Sequence, residues 1–369
     1  MPMSALKDLL ARDPAAALAI GGLGIGFAFG WIVNRTNFCT MGSISDFVSF
    51  GDFRRFRSWV LAAAVATLGS QLLHAFDIVS LPRSMYLTTN LNWLGHLLGG
   101  LVFGFGMVLA GGCASKNLAR AGGGDLRSLI TILVVGVFSY MTIGGLLGPI
   151  RNWLERATTF DLSILKLRTQ SLGAVVGWPM DFAVASTDAA VAVVIGAGAL
   201  AYCFRDEGFR NSPTHVWSGI GIGLCVIAGW ALTGLAFDEL SDRPTSPISL
   251  TFVRPTGDAL EWLQRFTAGR VPSFAVATVL GALLGAFAAA WGMGRFRVTT
   301  YSSASDTVRN LVGAGMMGVG GVMALGCTIG QGITGISTLA IGSFITFGAI
   351  VIGGILGIRY LERQLVAEM

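Results

Sequence analysis

The sequence predicts an all-α polytopic membrane protein: about nine transmembrane helices plus short re-entrant or broken helices, arranged as an inverted-topology internal repeat. Three observations predict it: a shortage of charge, apolar runs of membrane length, and self-similarity centred on two cysteines. Hydrophobic residues make up 53% of the 369-residue chain and charged residues 12%, whereas soluble domains carry about 25% charged residues. The mean hydropathy is +0.69. Fifty-two glycines without a collagen period suit helices that pack closely in lipid. The pI of 9.2 reflects five net positive charges spread over many loops. No basic-aromatic stripe or nucleic-acid module accompanies them, so this charge reads as membrane orientation and not as a nucleic-acid surface.

A hydrocarbon core of about 30 Å needs roughly 20 apolar residues per helix. By that measure the spans fall near 15–33, 57–76, 92–111, 126–148, 187–204, 215–237, 272–294, 307–326 and 336–358. The first follows Lys7 and Arg12. It is too long for a signal-peptide core and lacks a small-residue cleavage pattern, so it reads as a retained span. Two longer connections, 149–186 and 238–271, hold prolines and charge, and each has room for a surface helix.

Displacing the chain by 214 residues lays Gly104–Cys113 on Gly318–Cys327 with six of ten positions identical, and the same register pairs Arg83 with Arg297, Leu97 with Leu311 and Gly99 with Gly313. A weaker match pairs Gly30-Trp31 with Gly229-Trp230, and Phe47-Val48 and Gly51-Asp52 with Phe252-Val253 and Gly257-Asp258. The division is then a first half, 1–150, with four spans; a connector, 151–214, with one; and a second half, 215–369, with four. One odd span between two sets of four inverts the second set. That is a transporter architecture, with its site where discontinuous helices meet near the midplane. Arg54, Arg55, Arg57, Lys116, Arg120, Arg127, Arg205, Arg210, Arg295, Arg297, Arg359 and Arg363 fall on one side. The positive-inside rule makes that side cytoplasmic, the N-terminus periplasmic and the C-terminus cytoplasmic.

Three of the five cysteines share a context. Cys39 lies in Asn37-Phe-Cys-Thr-Met-Gly-Ser, Cys113 in Gly111-Gly-Cys-Ala-Ser-Lys-Asn, and Cys327 in Leu325-Gly-Cys-Thr-Ile-Gly-Gln. Each time an apolar helix runs into glycines and small polar residues. Irregular backbone at membrane depth survives only when protein or a wet cavity satisfies it. These are therefore expected to be helix breaks facing the interior, where a restarting helix offers N–H groups and a positive dipole end to an anion. Thr40, Gly112, Ser115, Lys116, Gly326, Thr328, Gln331 and Arg35 are the candidate supporting residues. Lys116, Arg35 and Arg120 serve equally well as ordinary interfacial charges. Cys39 has no cysteine counterpart; its matching stretch lies near Arg243–Pro247. Cys203 and Cys225 sit inside ordinary apolar spans and read as small packing residues.

No metal or cofactor is expected. The cysteines lack metal-ligand spacing, and His74, His96 and His215 are scattered. No phosphate-binding loop, dinucleotide fingerprint or hydrolase triad is present. Acidic residues are essentially absent from the apolar spans, with Glu155 and Glu261 falling in loops; this argues against proton coupling through a carboxylate.

The Asn37–Ser43 segment leading into Phe50-Gly-Asp-Phe-Arg-Arg55, with the Gly-Gly-Cys113 and Leu-Gly-Cys327 motifs, resembles the YeeE/YedE family of bacterial membrane proteins from about residue 20 to 357. The resemblance implies an inner-membrane permease, not an enzyme, that takes up thiosulfate or a related sulfur or selenium species along an hourglass path. It maps the family's three pathway cysteines onto Cys39, Cys113 and Cys327, and implies a TusA-like cytoplasmic sulfur carrier as partner. A membrane thiol oxidoreductase or sulfurtransferase that forms persulfides on the same cysteines is the alternative. It requires cysteines close enough to exchange, whereas a relay tolerates several ångströms. A structural or sensory subunit would not need duplicated helix breaks.

Overall fold

The computed structural model describes residues 13–178, 184–237 and 246–367. Lys7, Arg12 and Arg243–Thr245 lie outside the described residues. The elements in chain order begin with α1 (Pro14–Thr36), α2 (Thr40–Phe50), α3 (Arg54–Ala75), α4 (Trp93–Leu109), α5 (Ala114–Gly122) and α6 (Leu126–Ile143). A connector follows with α7 (Gly148–Thr158), α8 (Leu172–Gly177), α9 (Val184–Phe204) and α10 (Glu207–Arg210). The chain then continues through α11 (Pro213–Leu235), α12 (Arg254–Gln264), α13 (Phe274–Gly292), α14 (Ala304–Met323), a π-helical segment (Gly330–Gly335) and α15 (Ile341–Ala367). The sheet consists of β1 (Asn90–Leu91) paired antiparallel with β2 (Phe160–Asp161).

Eight segments among the described residues are long and apolar enough to cross a membrane. The remaining expected span, 307–326, is α14. It is as long as the others at 20 residues but carries Asp306, Arg309 and Asn310 in its first turns. Its glycine face lies against α4 and α6 instead of lipid. Glu155 and Glu261, expected in loops, sit on helices α7 and α12. Helix α7 projects Ile150 and Trp153 outward, the pattern of a helix lying in an interface.

Glycine allows the central helices to touch backbone to backbone. On α1, Gly22, Gly26 and Gly30 recur every four residues, so they share one face. A Cβ at Gly26 would lie 2.3 Å from the Thr278 carbonyl oxygen, and one at Gly30 2.0 Å from that of Ala282. From α13, a Cβ at Gly285 would lie 1.9 Å from the Phe27 carbonyl oxygen. The α11–α3 pair repeats the pattern: Gly219 faces the Ser58 carbonyl and Gly223 that of Ala62. Between α4 and α14 the contacts are reciprocal. Gly99 meets the Gly320 carbonyl and Gly320 the Gly99 carbonyl; Gly106 and Gly313 do the same. Displacement by 214 residues converts the first pair into the second. A pseudo-twofold axis therefore passes between antiparallel α4 and α14.

The loops sort into two ends. Ser49 bonds Glu362, Asn34 bonds the Ala119 carbonyl, Arg57 pairs with Asp206, and Arg297 N–H reaches Gly123. The basic loops therefore converge on one end of the bundle. At the other end, β1 meets β2 and Thr233 bonds the Ile248 carbonyl.

Candidate functional site: three cysteines at helix breaks

Helices α4 and α14 stop in the same way. The residue after each cap is left-handed, Gly111 at φ 70° and Leu325 at φ 59°. The next amide bonds back across the turn, Gly112 N–H to the Met107 carbonyl at 2.8 Å and Gly326 N–H to the Gly321 carbonyl at 2.7 Å. This is the Schellman stop, which satisfies carbonyls that the helix leaves open. Cys113 and Cys327 follow immediately and open new helical segments that fold back into the protein. Helix α1 also ends on a left-handed residue, Asn37, and Cys39 caps α2 with its Sγ accepting from Gly42 N–H at 3.4 Å. The expected breaks are present at all three positions. Val253 stands at the N-cap of α12, 214 residues after Cys39; of the stretch near Arg243–Pro247, residues 243–245 lie outside the described residues.

The breaks converge. The Cys39 and Cys113 thiols interact directly, and Cys113 also faces the Thr328 hydroxyl and, farther off, Cys327. Cys113 Sγ lies 3.3 Å from Ser115 Oγ. Cys327 Sγ accepts from Gly330 N–H at 3.4 Å and is approached by the Phe252 and Ile329 amides. All three thiols are buried. The ensemble is a cluster of hydroxyls, thiols and backbone amides, with Lys116 at its edge. Such a set stabilises an anion that has lost its water without fixing a permanent counter-charge on it.

The supporting residues divide. Thr40 is buried and accepts from Trp59 Nε1 at 3.1 Å. Lys116 donates to the Asn37 side-chain oxygen and approaches Cys39. The Gly112 carbonyl accepts from Asn117, which ties the turn to α5. Gln331 is committed to structure, donating to the Ala324 carbonyl and accepting from Ser343, both at 2.6 Å. Arg35 is exposed at the end of α1 and forms no ion pair among the described residues, so it does not join the cluster. Cys203 donates to the Arg57 carbonyl and packs with Leu61 and Phe209; Cys225 packs in the main core.

A cavity of about 700 Å³ opens at the end opposite the basic loops. Arg151, Thr233, Ser246, Thr251, Arg254, Asp258, Ser273 and Gly326 supply its polar lining, with Met85, Leu18 and Phe274 among the apolar residues. Gly326 and Thr251 put its floor one residue from Cys327 and from Phe252. At the other end Gly111 is exposed beside Arg120, whose guanidinium bonds its carbonyl at 3.0 Å. There Arg54 holds Asp52 at about 2 through its guanidinium and backbone N–H. Asp125 takes hydrogen bonds from Arg120 and Arg127. Sequence reasoning overlooked Tyr86, which packs edge-on against Trp230 near Cys327. It sits in an irregular loop where no periodicity marks it as interior.

A sulphur-transport family matches residues 35–356. The chain is 28% identical over 325 residues to "Thiosulfate transporter TsuA" of Spirochaeta thermophila, covering 88% of this chain and 93% of that protein. It is 27% identical over 336 residues to "Thiosulfate transporter TsuA" of Escherichia coli, covering 86% and 87%. "Probable transporter YedE" of Escherichia coli is 31% identical over 105 residues, covering 28% of this chain and 24% of that protein. With its multiple membrane helices and a match over most of its length, this chain belongs to the sulphur-transport family of YeeE/YedE membrane proteins.

Proposed function

We propose that this protein is an inner-membrane permease for thiosulfate or a closely related sulfur-containing anion, and that its substrate passes Cys327, Cys113 and Cys39 in that order. The observation that carries this reading is the placement of the cluster: a cavity ends at Gly326 beside Cys327, and Cys113 and Cys39 lie toward the basic end. A desolvated dianion costs many kcal/mol at low dielectric unless donors replace its water. Here each step offers some before the last are released. The polarisable terminal sulfur of thiosulfate suits thiol contacts better than a sulfate oxygen does. In a bacterium lacking other sulfur importers, expression should restore growth on thiosulfate as sole sulfur source. Failure to do so at normal membrane abundance would reject the reading.

The inverted repeat, with halves at 1–150 and 215–369, belongs to the same proposal and is supported by the matched contacts and helix stops. Together with the basic loops gathered at one end, it implies the topology: N-terminus periplasmic, C-terminus cytoplasmic. Reporter fusions at Met1 and Met369 should report opposite sides of the membrane. Both ends on one side would break the repeat.

Uptake is downhill, drawn by a TusA-like cytoplasmic sulfur carrier docking on the basic end. Arg205, Arg295, Arg297 and Arg359 form no ion pair among the described residues. A dianion entering against about 100 mV faces roughly 4–5 kcal/mol. The carboxylates near the cavity are engaged within the protein, Asp258 by Tyr140 and Arg254 and Glu155 by Arg151. Purified protein in liposomes should equilibrate thiosulfate without concentrating it. Uphill accumulation driven by a proton or sodium gradient, with no sulfur acceptor present, would overturn this.

The direct approach of Cys39 to Cys113 favours one second reading, sulfur transfer through cysteine persulfides. It predicts that a cysteine thiolate takes the outer sulfur of thiosulfate as the S–S bond of thiosulfate breaks and sulfite leaves, giving a persulfide on Cys39 or Cys113 detectable by intact-mass measurement. Plain permeation predicts unmodified protein.

A further inference from the structure

Among the described residues, the buried hydroxyls without a hydrogen-bond partner are those of Ser70, Ser84, Tyr86 and Thr328. A buried hydroxyl left unpaired costs about 1–3 kcal/mol, so native proteins rarely keep one without a use. Two of these four lie by the thiols: Thr328 faces Cys113, and Tyr86 is within electrostatic reach of Cys327. Both residues are almost completely buried, Tyr86 at 3% exposure and Thr328 at 0%. Neighbouring Met85 lines the outer cavity together with Thr251 and Gly326, so Tyr86 follows directly on the cavity lining. The amides of Gly330 and Phe252 converge on Cys327 Sγ.

We propose that Tyr86 is a substrate-binding residue, whose hydroxyl acts with that of Thr328 to donate hydrogen bonds to the oxygens of a tetrahedral sulfur oxyanion as it passes Cys327. The inference rests on the permease reading and adds a residue to it. Neither hydroxyl is engaged by an oxygen or nitrogen acceptor of the protein, so both are available to the ligand. Phenol and alcohol donors are uncharged, which lets them grip a dianion without trapping it. With the oxygens held by hydroxyls and amides, the terminal sulfur of thiosulfate is left to the thiols.

A hydroxyl without a substrate role and one that binds substrate predict different affinities for the same variant. Tyr86→Phe keeps the ring against Trp230 and deletes only the unpaired hydroxyl. If that hydroxyl does nothing for the substrate, the variant is more stable and binds equally well. If it binds substrate, Tyr86→Phe is at least as stable as wild type without ligand, yet binds thiosulfate about 10- to 100-fold more weakly. Titration calorimetry of the detergent-purified protein with thiosulfate and with sulfate, alongside thermal unfolding without ligand, separates these cases. Thr328→Val, which is nearly isosteric, should show the same loss and serves if Tyr86→Phe is recovered poorly. Wild-type binding with unchanged affinity in the variants overturns the role of the hydroxyls and leaves the permease reading standing. Wild-type protein that binds neither anion overturns both.

Discussion

Replacing Cys113 and Cys327 together by alanine should abolish thiosulfate uptake while leaving folded protein in the membrane. Each thiol is buried at a break where α4 or α14 has just ended, and each change removes a single sulfur atom. The protein loses only weak contacts, such as the 3.4 Å approach of Gly330 N–H to Cys327, so the stability cost is about 1–2 kcal/mol per site. The transport cost is of another order. A dianion crossing the cluster would meet two gaps where polarisable donors had been, inside a low-dielectric wall. Uptake should fall to background for the pair and strongly for each single variant. Cys203→Ala and Cys225→Ala, at packing positions away from the breaks, should leave transport nearly unchanged. Radiolabelled uptake normalised to membrane abundance is the measurement. Normal uptake by the double variant would end the cysteine pathway, whatever the family resemblance implies.

The second large effect concerns folding. Gly26→Leu or Gly285→Val should eliminate the monodisperse protein peak on size-exclusion chromatography. A core overpacked by a methylene group or two costs about 1–3 kcal/mol because side chains give way. At Gly26 and Gly285 the obstacle is carbonyl backbone at 2.3 and 1.9 Å, which cannot rotate aside. The α1 and α13 helices must then separate along their length. Lipid supplies no hydrophobic drive to hold helices together, so close packing carries the association. The loss should exceed the usual overpacking range and reach a large share of a typical stability of about 5–15 kcal/mol. Gly24 lies on the same helix, and nothing stands within 4 Å of where its Cβ would be, so Gly24→Leu should behave as wild type. A well-folded Gly26→Leu protein would show that the α1–α13 contact is looser than described.

The residues themselves determined the class of protein, the nine long helices among the described residues and the three break points. Membrane helices announce themselves because each must be apolar over a fixed length, and a break announces itself because glycines and small polar residues are costly anywhere else in lipid. The matched Gly-Cys motifs carried enough identity to reveal the repeat in α4 and α14. Helix α14 was the marginal span, legible through its repeat partner more than through its own hydropathy, since protein and not lipid covers its face. Only the tertiary structure decided which chemical groups meet. Thr328 facing Cys113, Cys39 touching Cys113, and Tyr86 standing near Cys327 join segments far apart in the chain, and no local period encodes such contacts. Arg35 and Gln331 looked alike as polar residues near a cysteine. One points to the surface from the end of α1, and the other spends both ends of its amide holding a turn together. What a polar side chain offers a substrate is whatever hydrogen bonding its own protein leaves unused, and that remainder exists only once the chain has packed.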